Sequence, residues 1–331
     1  MTTDLPPLTL LLCRVLPEPP KPGEGLRLAI WQGEGSAGTP AAVEANLRRL
    51  EQVCAAAAGR GAQLVAFPEL FLSGYASDPE RVRQLAESVG GGSLERVAAC
   101  ARRHGVAIAC PYAERAQVGG RERFYDAIAL FDAAGALLKN YRKTHLWGPD
   151  ERLFWSEGYR FDEEGEPFTV HPINGVGVGL LNCYEAEFPE LTRLLALGGA
   201  QLVLIPTAAD IWVRLSDGRR TEAPYPDVSR SLLPAHAFQE FCFVAYANRC
   251  GLETVEGEPW AHYLGNSVIC APDGTLLLTA ENRPCLLLAD LVPGDYHRPH
   301  PEGTTYHADR RPDLYGDLLR PDRAREQTGC D

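Results

Sequence analysis

Three short strings in this chain carry side chains that can run acyl transfer without a metal or a cofactor. Leu181-Asn182-Cys183-Tyr184-Glu185-Ala186-Glu187-Phe188-Pro189-Glu190 offers a thiol, Phe67-Pro68-Glu69-Leu70 a carboxylate, and Tyr141-Arg142-Lys143-Thr144-His145-Leu146 an ammonium. Each lies just past an apolar run that reads as a strand. A thiol is a poor nucleophile until it loses its proton, and an adjacent base or cation lowers that cost. Glu69 is the candidate to take the proton and later to activate water. Lys143 is the candidate to stabilise the oxyanion formed when Cys183 attacks a carbonyl, with the backbone N–H of Tyr184 as a second donor. Cys183 also precedes a predicted helix start, where backbone N–H groups favour negative charge. Taken singly, each residue has a plainer use: a packed cysteine, a capping or ion-paired glutamate, a lysine on a solvated face. Only their joint context argues for a site.

The elements that must position these groups follow from periodicity and punctuation. Leu26–Trp31 reads as a strand, and Thr39-Pro40 supplies an N-cap and a proline at the first helical position. The helix that follows runs to about Ala58, with Val43, Leu47, Leu50 and Cys54 at three- and four-residue spacing. Gly59 and Gly61 end it before the strand Gln63–Phe67, and a crossover of this length favours parallel pairing. A helix over Ser93–His104 leads to a strand over Val106–Cys110, and Ala133-Ala134-Gly135 signals a hairpin between Phe124–Phe131 and Ala136–Tyr141. Asn174-Gly175 predicts a tight turn between Phe168–His171 and Val176–Leu181. Helices over Glu187–Leu197 and Ser231–Glu240 alternate with strands Gln201–Ile205 and Phe243–Asn248, and Asp273-Gly274 marks a last hairpin. Sheets covered by helices on one face and stacked on each other would bury all these strands.

Composition sets the outer limits. The net charge of −12 argues against nucleic acid and against an anionic membrane surface as partners, because both need clustered Lys and Arg. The run Leu8–Cys13 lacks a basic segment before it, carrying Asp4 there instead, and is too short to span a bilayer. It reads as a loose or docked N-terminal extension over residues 1–25, followed by one domain over 26–292. The polar tail 293–331 is expected to wrap the domain or a partner subunit. The ten cysteines form no C-x-x-C pair, so they predict neither a structural zinc nor a dithiol motif, and they point to a reducing, cytoplasmic setting. No P-loop, dinucleotide fingerprint or H-E-x-x-H string occurs.

The same three strings, in this order, resemble the catalytic motifs of the nitrilase superfamily of carbon–nitrogen hydrolases. Further matches are Asn248-Arg249 with Gly251, and Gly265-Asn266-Ser267 leading to Pro272-Asp273-Gly274. The resemblance spans roughly Leu26 to Leu319. It implies an α-β-β-α four-layer sandwich, and a Glu69-Lys143-Cys183 triad working through a covalent thioester. It also implies a second carboxylate, Glu151, that orients Lys143 and the substrate, where the residues alone read as a helix-start acid. Tyr184 after Cys183 points to the amidase branch, while Glu185 stands where Asp is more usual there. A small carboxamide is the expected substrate, with nitriles or N-carbamoyl compounds as alternatives. For a substrate carboxylate in the N-carbamoyl case the candidate cation is Arg214. Tyr75, Trp147, Trp155, Thr207 and Trp212 follow strands and are candidate pocket walls, Trp155 first. The resemblance further implies a homodimer or higher homo-oligomer, packed through the helices over Glu187–Leu197 and Ser231–Glu240. A degenerate, non-catalytic scaffold is the competing reading, against which every triad position being filled argues.

Overall fold

The computed structural model describes residues 10–75, 78–297 and 302–320. Strand β2 (Leu26–Gln32) is buried at all seven positions, so it is covered on both faces. It lies inside a seven-stranded sheet. The strand order there is β1 (Leu11–Arg14), β16 (Cys285–Leu291), β2, β3 (Leu64–Ala66), β4 (Ala107–Val118), β5 (Arg121–Phe131) and β6 (Leu137–Arg142). A six-stranded sheet follows the order β15 (Leu276–Thr279), β14 (Val268–Cys270), β11 (Phe243–Ala247), β9 (Leu202–Pro206), β8 (Val176–Leu180) and β7 (His171–Ile173). A small third sheet joins β10 (Asp210–Val213), β13 (Glu258–Leu264) and β12 (Cys250–Val255).

Three apolar clusters define the layers. Helices α1 (Pro40–Ala58) and α3 (Gly92–His104) cover the outer face of the first sheet through Leu47, Leu50, Val53, Leu94 and Val97. Ile30, Leu64, Ile128, Leu180, Leu204, Ala245 and Leu287 form the core between the two large sheets. Helices α5 (Pro189–Leu197) and α6 (Leu232–Glu240) cover the second sheet through Leu191, Leu195, Leu233 and Ala237. This is the expected α-β-β-α sandwich. β2–β3 and β3–β4 pair in parallel, as the crossover length requires, and so do β8–β9 and β9–β11.

Local chemistry explains most boundaries. The Thr39 side chain caps α1 by accepting from the Ala42 N–H, with Pro40 in the first turn. Asn174 and Gly175 both take positive φ, 50° and 80°, giving the tight β7–β8 turn. A β-carbon on Gly175 would meet the Gly23 nitrogen at 2.6 Å, so that turn admits no side chain there. Of the two forms expected for the N-terminal run, the docked one is observed: Leu11–Arg14 pairs in parallel with Leu286–Ala289.

Some expectations need correcting. The strand placed at Phe168–His171 is instead β7 at His171–Ile173, because the turn residues pair His171 with Val178 and leave 168–170 outside the ladder. The hairpin β4–β5, turning at Gly119-Gly120, extends each strand well beyond its apolar half into polar residues, which hid it. Helices α2 (Pro79–Leu85) and α4 (Gly148–Phe154), and the third sheet, are additional elements. Residues 302–320 belong to a second unit and contain two short 3₁₀ turns, Pro312–Leu314 and Gly316–Leu319.

The inter-sheet core yields a direct stability prediction. Replacing the fully buried Ile30 with Ala should cost about 2–5 kcal/mol in denaturant unfolding, through lost transfer energy and a residual cavity. The same change at Leu137, 42% exposed, should cost about 0.5 kcal/mol or less.

Candidate active site

Glu69, Lys143 and Cys183 each leave the C-terminal end of a strand, β3, β6 and β8, and their loops meet at one end of the stacked sheets. The Glu69 loop is fastened from the opposite sheet. Arg249 Nε donates to the Glu69 carbonyl at 3.0 Å and Arg249 Nη2 to the Leu70 carbonyl at 2.8 Å. The Glu69 N–H donates to the Thr207 carbonyl at 3.3 Å. Leu70 itself adopts a left-handed φ of 47°, which the two Arg249 contacts help to hold. Arg249 is kept in place by Glu253 at 2.7 Å. Lys143 follows Arg142, whose guanidinium takes a bidentate pair with Glu114 at 2.7 Å.

Cys183 sits on a sharp strand-to-turn junction with φ 52°, a conformation that costs a non-glycine residue on the order of 1–2 kcal/mol. Glu185 holds that junction. Its Oε2 accepts from the Asn182 N–H at 2.7 Å and from the Tyr141 hydroxyl at 2.7 Å. Its Oε1 accepts from the Thr144 N–H at 2.6 Å and the His145 N–H at 3.2 Å. One fully buried carboxylate therefore clips the lysine loop to the cysteine turn.

At the centre the Lys143 ammonium donates to Glu69 Oε1 at 2.7 Å and to Glu151 Oε1 at 2.9 Å, and lies 3.6 Å from Asp126 Oδ2. Glu151, from the first turn of α4, also accepts from the Tyr75 hydroxyl at 2.5 Å and the Trp147 N–H at 2.7 Å. All four of these side chains are buried. Burial alone would pull the lysine down, yet Glu151 and Glu69 outweigh it and hold the ammonium charged well above its ordinary range. Burial, then the Glu69 charge, raise Glu151, with Lys143 opposing. Burial and Glu69 also push the Cys183 thiol well up, against Lys143 and the Ala208 N–H, which pull it down. The expected easing of thiol ionisation by its cation is present but outweighed. The helix behind Cys183 is only a 3₁₀ turn, Cys183–Glu187.

One oxygen each of Glu69, Asp126 and Glu151 lies within 4.8 Å of the others, the donor set of a small cation site. The cation these carboxylates hold is the Lys143 ammonium. A second grouping, Glu51, Cys100 and His104, is already matched, since Glu51 accepts from Arg103 at 2.6 Å and contacts His104 at 2.7 Å.

Glu151 also lines a pocket with Tyr75, Trp147 and Trp155, three of the five expected wall residues. Cys183 does not line that pocket; Glu151 is the link between it and the buried charges. The other two expected wall residues do not line this pocket. Thr207 is wholly interior, its hydroxyl donating to the Ile205 carbonyl, because the chain after β9 turns into the core. Trp212 lies on β10 under the Arg220 guanidinium, 3.7 Å from the ring centroid, away from the pocket. Asp150, Phe154, Val213, Arg214, Leu215 and Trp260 complete the wall; Arg214 stands 5.2 Å over Trp260. Asp126 escaped the sequence reading because an isolated acid inside a strand announces no partner; Glu185 and Arg249 are motif residues, but nothing in the sequence shows what they fasten.

A four-layer sandwich holding a thiol, a buried ammonium and clustered carboxylates on strand-end loops is the setting in which comparison with known proteins becomes informative. The chain belongs to the carbon–nitrogen hydrolase family, which matches residues 27–297. Within it, this enzyme is an amidase-type hydrolase of the nitrilase superfamily. It is 38% identical to a Pseudomonas protegens protein described as "Hydrolase in pqqF 5'region", over 89% of this chain and 92% of that one. It is 34% identical to a Pseudomonas (R)-stereoselective amidase, over 71% and 74%. The crystal structure of an amidase from Nesterenkonia sp. superposes with a TM-score of 0.69 at 30% identity, covering 90% of this chain and 97% of that one. A further structure of that amidase carries the acetamide moiety of fluoroacetamide covalently bound at its active-site cysteine.

Burial beside the pocket makes one pH dependence explicit. Asp210, at the start of β10, is pushed by burial from 3.8 up to about 6. Between those values the folded chain holds a proton that the unfolded chain has released, so stability falls as pH rises from about 4 to about 6. The loss should level off near 3 kcal/mol, about two pK units' worth. Asp210→Asn should remove this fall when unfolding is compared at about pH 4 and pH 7. An unchanged slope contradicts the assignment.

Proposed function

We propose that this enzyme hydrolyses small carboxamides to a carboxylic acid and ammonia, with Glu69, Lys143 and Cys183 as the catalytic triad and a Cys183 thioester as intermediate. The observation that carries the reading is the Lys143 ammonium held between Glu69 and Glu151 while the charges of all three act on Cys183. Burial keeps the resting thiol protonated, so its proton passes to Glu69 as sulfur attacks the carboxamide carbon. The oxyanion is met by Lys143 and the Tyr184 N–H. Collapse expels ammonia, which takes the proton from Glu69. Glu69 then removes a proton from water as its oxygen attacks the thioester carbon; the C–S bond breaks, the Cys183 sulfur takes that proton back from Glu69, and the acid is released. Glu151 fixes Lys143 throughout, and Tyr75 in turn binds Glu151.

Aromatic side chains along the pocket favour arylalkyl or aliphatic amides, or amino-acid amides, with Trp155 the first wall residue to test. Arg214 in the same wall favours a second reading, an N-carbamoyl amino acid whose carboxylate meets the guanidinium. A true nitrilase is disfavoured by Tyr184. The proposal includes a homodimer formed through α5 and α6, whose Leu194, Leu197 and Leu232 side chains are exposed. A reducing, cytoplasmic setting is supported by the nine free thiols among the described residues. No helix among the described residues is long and apolar enough to cross a membrane.

Ammonia release from propionamide, phenylacetamide, amino-acid amides, glutamine and the matching nitriles tests the substrate class. Amides should react faster than nitriles, and carbon dioxide should appear only if an N-carbamoyl compound is the substrate. Cys183→Ala should lower amide turnover by at least about a thousandfold while leaving the fold intact. Hydrolysis near the wild-type rate would refute the nucleophile.

A further inference from the structure

We propose that Asp126 is a positioning residue for Glu69: its neutral carboxyl group donates a hydrogen bond from Oδ2 to Glu69 Oε2, so that the two side chains keep one proton between them. The inference rests on the reading of Glu69 as the site's base and adds to it a residue outside the triad. Both side chains are buried to 1% exposure or less. Glu69 Oε2 and Asp126 Oδ2 have no hydrogen-bond partner when both groups are counted as ionised. The two carboxyl groups place oxygens within 4.8 Å of each other, and dry oxygens left without a donor are costly, whereas one added proton between the groups can satisfy both.

The surroundings decide where that proton resides. Glu69 Oε1 already takes the Lys143 ammonium at 2.7 Å, whereas Asp126 lies 3.6 Å from it. Asp126 Oδ1 accepts only from a neutral amide, Asn182 Nδ2, at 2.9 Å. The charged groups packed around Asp126 are Glu69 after β3, Lys143 after β6 and Glu151 from α4. With all three carboxylates ionised around one ammonium the dry cluster would carry two net negative charges, and like charges at such range resist joint ionisation. Burial first, then Glu69, hold the Asp126 carboxyl protonated well above its usual range, against the pull of Lys143. With Oε1 tied to Lys143 and Oε2 tied to Asp126, Glu69 cannot turn away from the thiol. Asn182 links the arrangement directly to the residue before the nucleophile.

The test uses the full-length protein and the variants D126N, which keeps a donor, and D126A, which does not. Infrared difference spectra of the resting protein, without substrate, should show the carbonyl stretch of a neutral carboxylic acid in wild type that is lost in D126N. D126A should lower kcat by about a hundredfold through loss of Glu69 alignment, and D126N should recover most of that loss. The alkaline limb of the wild-type kcat/KM profile should shift upward in D126N, because the donor no longer ionises. Absence of the carbonyl band, a D126N variant as slow as D126A, or an unshifted limb would each overturn the proposal. The infrared result is independent of turnover. A band present in a protein that hydrolyses no amide upholds the shared proton and sinks the amidase reading. An active enzyme without the band does the reverse.

Discussion

The rest of the structure depends on one buried ammonium. Lys143 has no exposed surface, and removing a charge from water costs several kcal/mol unless partners replace the hydration. Two carboxylates, Glu69 and Glu151, supply that replacement through hydrogen bonds from different stretches of chain, with the Asp126 carboxyl 3.6 Å away. Neither buried carboxylate is tolerable in the interior without the lysine, and the lysine is not tolerable without them. Two loops and the first turn of α4 must therefore close around the same point for the chain to fold.

Closure is achieved by fasteners that never touch the ammonium. Arg249, itself ion-paired with Glu253, grips the backbone of the Glu69 loop. Glu185 ties the loop after Lys143 to the turn at Cys183 through five donors. Left-handed backbone at Leu70 and Cys183 is the local cost, and those contacts offset it. Such strain aims side chains out of strand ends at positions a regular strand or helix would not reach. The inter-sheet core beneath supplies rigidity, since its aliphatic residues interlock from both large sheets.

Sequence alone reached the layers through periodicity and punctuation, and the candidate trio through three strand-end strings and the family resemblance they carry. Thr39-Pro40 marks α1, Asn174-Gly175 marks the β7–β8 turn, and apolar runs end just before Glu69, Lys143 and Cys183. What it missed is long-range. Asp126 lies in β5, where an isolated acid reads as an outward-facing residue, and only the fold brings it to Lys143. Glu185 looked like a departure from a motif, yet its longer side chain reaches donors on both β6 and its following loop. Thr207 and Trp212 followed a strand end, as pocket residues often do, but the chain there turns inward for one and along the third sheet for the other. The thiol's resistance to ionisation was equally hidden, because burial and neighbouring charge belong to the assembled site.

If charge balance around the lysine organises the molecule, removing that one charge should leave its carboxylates stranded. Lys143→Met keeps the length of the side chain and deletes the ammonium, so denaturant unfolding of this variant and of wild type across pH isolates the effect. At neutral pH the variant should be about 3–5 kcal/mol less stable, the usual cost of leaving buried charge unpaired. Without the lysine the folded carboxylates bind protons more tightly than the unfolded ones, so the deficit should shrink steadily as pH falls toward about 4. A variant as stable as wild type at neutral pH, or a deficit that ignores pH, would contradict the account.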